Sequence, residues 1–387
     1  MKQLLNQKME EIIPSLIDIS DHLYYHPELG DQEFKSMKLL TSLLEKHGFQ
    51  VQTNIVERQT AFHATFSGAQ TGPNIAYLAE YDALPGVGHG CGHNLIGTMS
   101  VGAAIALSKL MSEVGGTVHV FGTPAEETNG AKVPMSEQGI FDELDAAMIL
   151  HPGDVSHESG DALAMDALQF SYTGKPAHAA AAPEQGINAL DSVIQLFNGI
   201  NALRQHVTSD VRMHGIITEG GVAANVVPEK ATAQFYIRAK DRNYLNRVVD
   251  QVRDIAIGAA AMTGASLEIT NYELSYDNMI TNQRLSEVFT KNLKETSELP
   301  VHPQKESYGS IDMGNVSQVV PAIHPYIGMN KSGIIAHTTE FADQTITDDG
   351  HKTLYDGALS LAKTGYDLLT DKALLHSVRQ EFTQLKK

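Results

Sequence analysis

The sequence has no tryptophan and one cysteine, Cys91, in 387 residues, so no intrachain disulfide can form. Basic residues are scarce. Lys and Arg number 28 against 46 Asp and Glu, and the formal charge of -18 repels nucleic-acid phosphates and anionic membrane surfaces alike. Neither partner is expected. No apolar run approaches the ~20 residues that a membrane-spanning helix needs. The opening segment MKQLLNQKMEEIIPSL carries charges where a signal peptide needs an apolar core, and together with the lone cysteine this predicts the cytoplasm.

What is present suits a folded chain. Hydrophobic residues at 42% and charged residues at 19% lack the low apolar content of disorder. A length of 387 residues exceeds the roughly 250 to 300 at which one core stops growing, which predicts two domains.

Helical spacing marks the first segment through Ile12, Ile13, Leu16 and Ile17, and a second helix is predicted from Ser36 to His47. Short apolar runs at Ala61 to Phe66, Asn74 to Ala79, Thr117 to Phe121 and Ala146 to Leu150 predict strands, with a helix over Ser100 to Met111 between them. Strands alternating with helices indicate a layered α/β domain. From about Ala167 to Tyr276 the pattern changes to strand, helix, strands, helix, strand, which suits a small α+β sandwich inserted in the larger domain. A helix over Asn282 to Lys294 and another over Gly350 to Leu369 complete the first domain.

Three of the predicted strands run into polar clusters: EYD, GTPAEE and HPGD. In open α/β sheets, sites form at the carboxyl ends of strands. In GHGCGHN, Cys91 and His93 stand two apart, so in an extended segment both could face one metal cluster; read alone they are a small buried residue and a turn histidine. Adjacent Glu126 and Glu127 repel each other unless a cation or a raised pKa relieves them, and the pair allows one carboxylate to face metal while its neighbour acts as general base. His151 and His337 offer further imidazoles, each of which taken singly is as readily a packing or loop residue.

The ordered set EYDALPGVGHGCGHN, GTPAEE, LHPGD, GKPAHAA, GGVAANVVPE and HTTEF resembles the M20 metallopeptidase family. It is most similar to the amidohydrolase branch that carries Cys-Gly-His in place of a bridging Asp, and within it to the aminobenzoyl-glutamate hydrolases and dipeptidases. The resemblance spans nearly the whole chain. It implies a two-domain α/β fold, with a catalytic domain over 1–166 and 280–387 and an inserted α+β, ferredoxin-like lid and dimerisation domain over 167–279. It implies two divalent metal ions held by Cys91, His93, Glu127, His151 and His337, with Glu126 as base and His178 as oxyanion stabiliser. A thiolate ligand favours zinc first, then manganese or cobalt.

The wider family has His-x-Asp where this chain reads Glu80-Tyr81-Asp82, so Glu80 does not inherit a histidine's role, and Asp82 is expected to orient a ligand histidine. Asn225 and Arg238 fall where the family places substrate-facing groups on the lid, Arg suiting a carboxylate. Ser310, Asp312 and Asn315 in SYGSIDMGNVS suggest a substrate-selecting wall, or else a turn capping the last helices.

The expected reaction is hydrolysis of a small amide or peptide bond, in a dipeptide or an aminobenzoyl-glutamate-like substrate, by a homodimer or tetramer. Rival readings are an aminoacylase-like N-acyl amino acid hydrolase, a Cys91 thiol nucleophile with His93 as base, and a silent metal-binding scaffold. Retention of Glu126 beside Glu127 argues against the last.

Overall fold

The computed structural model describes residues 2–304 and 308–386, so Ser307, the first residue of SYGSIDMGNVS, lies outside the described residues. The chain begins with α1 (Lys2–Tyr25), α2 (Phe34–Lys46), β1 (Gln50–Ile55), β2 (Arg58–Ser67), β3 (Asn74–Ala79), α3 (His93–Ser108), β4 (Thr117–Gly122), α4 (Lys132–Glu137), β5 (Ala146–Met148), β6 (His151–Gly153) and β7 (Ser156–His157). Then come β8 (Ala164–Thr173), α5 (Ala189–Leu203), β9 (Arg212–Glu219), β10 (Lys230–Ala239), α6 (Arg242–Thr263) and β11 (Ser266–Asn271). It closes with α7 (Gln283–Thr296), β12 (Val301–His302), α8 (Met313–Ser317), β13 (Ala322–Ile323), β14 (Tyr326–Gly328), α9 (Thr339–Gln344), α10 (Asp348–Thr370) and α11 (Lys372–Leu385). Among the described residues no helix is long and apolar enough to cross a membrane.

Two compact units result, one from Met1–Asp161, Met279–Ser307 and Asp312–Lys387, the other from Ala162–Asn278 and Tyr308–Ile311. The first unit has a six-stranded sheet in the order β1-β2-β4-β3-β5-β13 and a smaller one in the order β12-β7-β14-β6. Strands β4, β3, β5 and β13 run parallel, and the antiparallel pair β1 and β2 forms one edge. The run IAYLA of β3 is largely apolar, as suits a strand between two parallel neighbours, β4 and β5, and its burial is continuous after Asn74.

Every residue of α3 is buried. The helix is built largely of small side chains, which let it lie close against its neighbours: a Cβ on Gly97 would sit 2.7 Å from the Glu80 carbonyl oxygen. Its buried neighbours include the face of α1 formed by Leu5, Met9, Ile12, Leu16 and Leu23, spaced as one side of a helix.

The second unit is a β-α-β-β-α-β pattern with the all-antiparallel order β11-β8-β10-β9. Its helices have clear ends. Asn188 accepts the Leu190 and Asp191 N–H groups at the start of α5, Asp241 accepts that of Tyr244 at the start of α6, and Gly264 closes α6 at φ 83. Leu168, Phe170, Phe235, Leu196, Val248 and Val252 form a core separate from that of the first unit.

Three details depart from the expected elements. The polar segment Gln50–Ile55 is an edge strand, mostly exposed, whose pattern no apolar alternation reveals. The strand expected over Ala146 to Leu150 ends at Met148, and His151 opens β6 in the second sheet instead. The helix expected from Ser100 starts at His93.

On β2 and β4, His63 Nε2 lies 2.9 Å from His119 Nδ1 and the rings stack at 5.2 Å. Burial lowers both to about 4, well under the ordinary value of about 6.5. Between those values the unfolded chain binds more protons than the folded one, so stability falls as pH drops through that window. The urea midpoint is therefore expected to be lower at pH 5 than at pH 7, and His63→Gln with His119→Gln to remove part of that drop. An undiminished drop in the double variant would acquit the pair.

Candidate metal centre

The centre is assembled at the ends of the parallel strands of the first unit. After β3 the chain turns through Glu80, Tyr81 and Asp82, after β4 through Ala125, Glu126 and Glu127, and β6 opens with His151. Gly92, at φ 77, bends the chain between Cys91 and His93, so the segment is a turn entering α3 and not the extended stretch expected. His337 is brought in by a backbone N–H bond of 2.8 Å to the Gly90 carbonyl, and it sits at φ 66, a left-handed conformation that a residue with a Cβ seldom adopts.

Among the described residues three donor groups have ligand atoms within 4.8 Å of one another: Cys91, His93 and His151; Cys91, Glu127 and His337; and His93, Glu126 and Glu127. Cys91 Sγ lies 3.4 Å from His151 Nε2, and Glu127 Oε1 lies 3.4 Å from His337 Nε2 and 3.9 Å from His93 Nε2. His93 Nε2 and Glu127 Oε1 are buried, yet neither has a hydrogen-bond partner. Buried polar atoms rarely stay unsatisfied, and imidazole, thiolate and carboxylate atoms turned on one point suit divalent cations. These residues fit a metal pair, with Cys91 common to two of the donor groups.

Asp82 makes two contacts that matter here. Its Oδ1 accepts from His93 Nδ1 at 2.9 Å, which directs Nε2 to the centre, and its Oδ2 accepts the Glu127 N–H at 3.1 Å. Burial works against a charge on His93, but Asp82 and Glu80 outweigh it and raise the imidazole well above its usual value. His151 is fixed by a 2.7 Å contact from Nδ1 to the Pro152 carbonyl. Burial pushes the Cys91 thiol up, so its thiolate depends on a neighbouring cation. Burial, then Glu80, Asp312 and Glu127, raise Glu126 well above the ordinary carboxylate range, as suits a proton-carrying base.

Nothing in the sequence singles out Lys132. Its ammonium is fully buried and lies 2.6 Å from both Glu80 Oε1 and Asp312 Oδ1. Glu80 Oε2 in turn lies 3.4 Å from His93 Nε2, so the triad adjoins the centre. Burial disfavours a charge on Glu80, and Lys132 overrides it to hold the carboxyl at about 2. Burial pushes Asp312 up to about 6. Asp312, expected on a substrate-facing wall, is thus an internal partner of Lys132, and Asn315 is buried in α8. In GAKVPM a lysine reads as solvated surface; only the two carboxylates that converge on it from Glu80 and Asp312 reveal its place.

The remaining candidates lie on the second unit. His178 is exposed, and its Nδ1 accepts the Ala180 and Ala181 N–H groups at 3.2 and 3.1 Å, so a proton on the ring belongs on Nε2. Asn225 is exposed and bonds Ala179 through its backbone carbonyl. Arg238 donates to the Tyr308 carbonyl at 3.3 Å and lies next to Ser310 Oγ at 3.4 Å. Among the described residues its buried Nε has no hydrogen-bond partner, and Glu273 is the acidic group that acts on it electrostatically.

Residues 76–360 match the model of peptidase family M20/M25/M40. The chain is 32% identical to the Xaa-Arg dipeptidase of Mus musculus over 99% of its own length and 92% of the relative's. It is 31% identical to a p-aminobenzoyl-glutamate hydrolase polypeptide of Escherichia coli K12, covering 95% of this chain and 92% of that one. Among solved structures, a dinuclear metal-binding M20 peptidase of Bacillus subtilis aligns with a TM-score of 0.68 at 20% identity, over 92% of this chain and 99% of the other.

Proposed function

Because the chain belongs to peptidase family M20/M25/M40 and is a hydrolase of that family, we propose that it cleaves the amide bond of a dipeptide or an aminobenzoyl-glutamate-like substrate at a two-metal centre. The observation that carries this reading is the convergence of Cys91, His93, His151, Glu127 and His337, with two buried ligand atoms left unpaired. When bound, two divalent cations polarise the amide carbonyl and acidify water. Zinc is the first expectation because of the thiolate, with manganese or cobalt as alternatives.

The chain's own groups supply the rest of the reaction. Glu126 takes the proton of the attacking water and passes it to the leaving amine, a role that a carboxyl of raised pKa suits. Asp82 keeps His93 and the Glu127 backbone in place. Protonated at Nε2, His178 donates to the developing oxyanion, a part that rests on the GKPAHAA motif. Arg238 receives the substrate carboxylate, supported by its buried Nε, which has no hydrogen-bond partner among the described residues, and Asn225 adds a polar contact. The proposal includes an inserted lid and dimerisation domain over 167–279, a homodimer or tetramer, and a cytoplasmic location, which a single cysteine suits.

The test is amine release from a panel of dipeptides, aminobenzoyl-glutamate and N-acyl amino acids, using zinc-loaded, manganese-loaded and chelated protein. Cleavage that disappears on chelation and returns with metal is expected, with dipeptides or aminobenzoyl-glutamate preferred over N-acyl amino acids. Preference for N-acyl amino acids would select the aminoacylase-like alternative. Full activity after verified metal removal would sink the two-metal reading.

A further inference from the structure

Glu33 is fully buried, stands outside the metal donor set, and still reaches the loop that carries the base. Its Oε1 accepts the Ala125 N–H at 2.9 Å and its Oε2 accepts the Thr60 hydroxyl at 2.9 Å. Ala125 sits at φ 61, in the left-handed region, which a residue with a Cβ seldom adopts. The next two residues are Glu126 and Glu127, and on the far side of Glu126 Asp82 Oδ2 accepts the Glu127 N–H at 3.1 Å. Two carboxylates therefore grip the backbone on either side of Glu126. The loop between α1 and α2 is also pressed against this turn, because a Cβ on Gly30 would come within 2.9 Å of the Ala125 Cβ.

From this arrangement we infer that Glu33 is a positioning residue for hydrolysis: by holding Ala125 in a left-handed turn, it sets the direction in which the Glu126 side chain leaves the backbone. The inference rests on Glu126 acting as the base. A purely structural role, tying α2 to β2 through Thr60, would leave the reaction indifferent to the conformation at Ala125. In Glu33→Gln the amide oxygen still accepts the Ala125 N–H while the amide N–H donates to the Thr60 hydroxyl oxygen, so the amide is a close substitute.

The experiment uses the metal-loaded full chain and measures kcat, KM, bound metal and Tm. Glu33→Ala is expected to lower kcat by on the order of 10- to 100-fold, the scale of a small misplacement of a reacting group, with bound metal unchanged and KM within about threefold. Glu33→Gln should keep kcat within about threefold. Adding Ala125→Gly to Glu33→Ala should restore part of the lost kcat without restoring Tm, since glycine adopts the left-handed turn unaided. Should Glu33→Ala not fold, Glu33→Asp, too short to reach both partners, carries the same comparison with and without Ala125→Gly. A kcat that is unchanged, that falls only with lost metal or folded fraction, or that Ala125→Gly does not restore would overturn the inference. Glu126→Gln run alongside separates the two failures: if it retains activity, the base assignment is at fault and not Glu33.

Discussion

Glu126→Gln should lower kcat by roughly 10²- to 10⁴-fold, the usual contribution of a positioned acid–base group, while the protein still binds its full complement of metal. The expectation follows from a division between neighbours. Glu127 Oε1 lies 3.4 Å from His337 Nε2 and 3.9 Å from His93 Nε2, among ligand atoms, whereas Glu126 belongs to only one of the three donor groups. The amide keeps the shape of Glu126 and removes its capacity to accept a proton. Metal content by elemental analysis and kcat on the saturated enzyme decide the matter. Loss of metal in parallel with activity would make Glu126 a ligand, and retained turnover would dismiss it as base.

Lys132→Met should destabilise the fold by about 3 to 5 kcal/mol, because it strands buried carboxylates without their cation. Glu80 and Asp312 each lie 2.6 Å from the ammonium, and all three residues are at most 2% exposed. The sign of the pH dependence separates charge from cavity. Without Lys132 both carboxyls have folded pKa values above their unfolded ones, so the folded state binds more protons and gains stability as pH falls. The deficit relative to wild type should therefore be larger at pH 8 than at pH 5, and Asp312→Asn added to Lys132→Met should recover part of it at pH 8. Urea unfolding at both pH values tests this, and an equal deficit at both would reduce Lys132 to a space-filling residue.

Much of the centre was legible before the fold was known, because its chemistry is carried by residue types that are rare or costly together. Cys91 is the single cysteine, Glu126 and Glu127 are adjacent like charges, and His151 follows an apolar run. What stayed hidden was whatever looks ordinary in sequence. Lys132 and Glu33 are charged residues in polar surroundings, and nothing local distinguishes them from solvated ones. Their burial exists only because β3, β4 and the turn before α2 meet. The same holds for Asp312, whose partner lies 180 residues away.

The class of fold follows from the amino-acid order alone, through apolar runs that alternate with helical spacing, while the proposed metal donors follow from the ordered motifs that resemble family M20 and from no single residue taken by itself. How those donors are held is a property of the folded chain: the left-handed turns at Ala125 and His337, the two contacts of Asp82, and the buried charge triad behind Glu80. Secondary structure comes from local periodicity and the proposed donors from motif resemblance, whereas backbone strain and buried ion pairs persist only where packing from distant segments stabilises what each segment alone would relax.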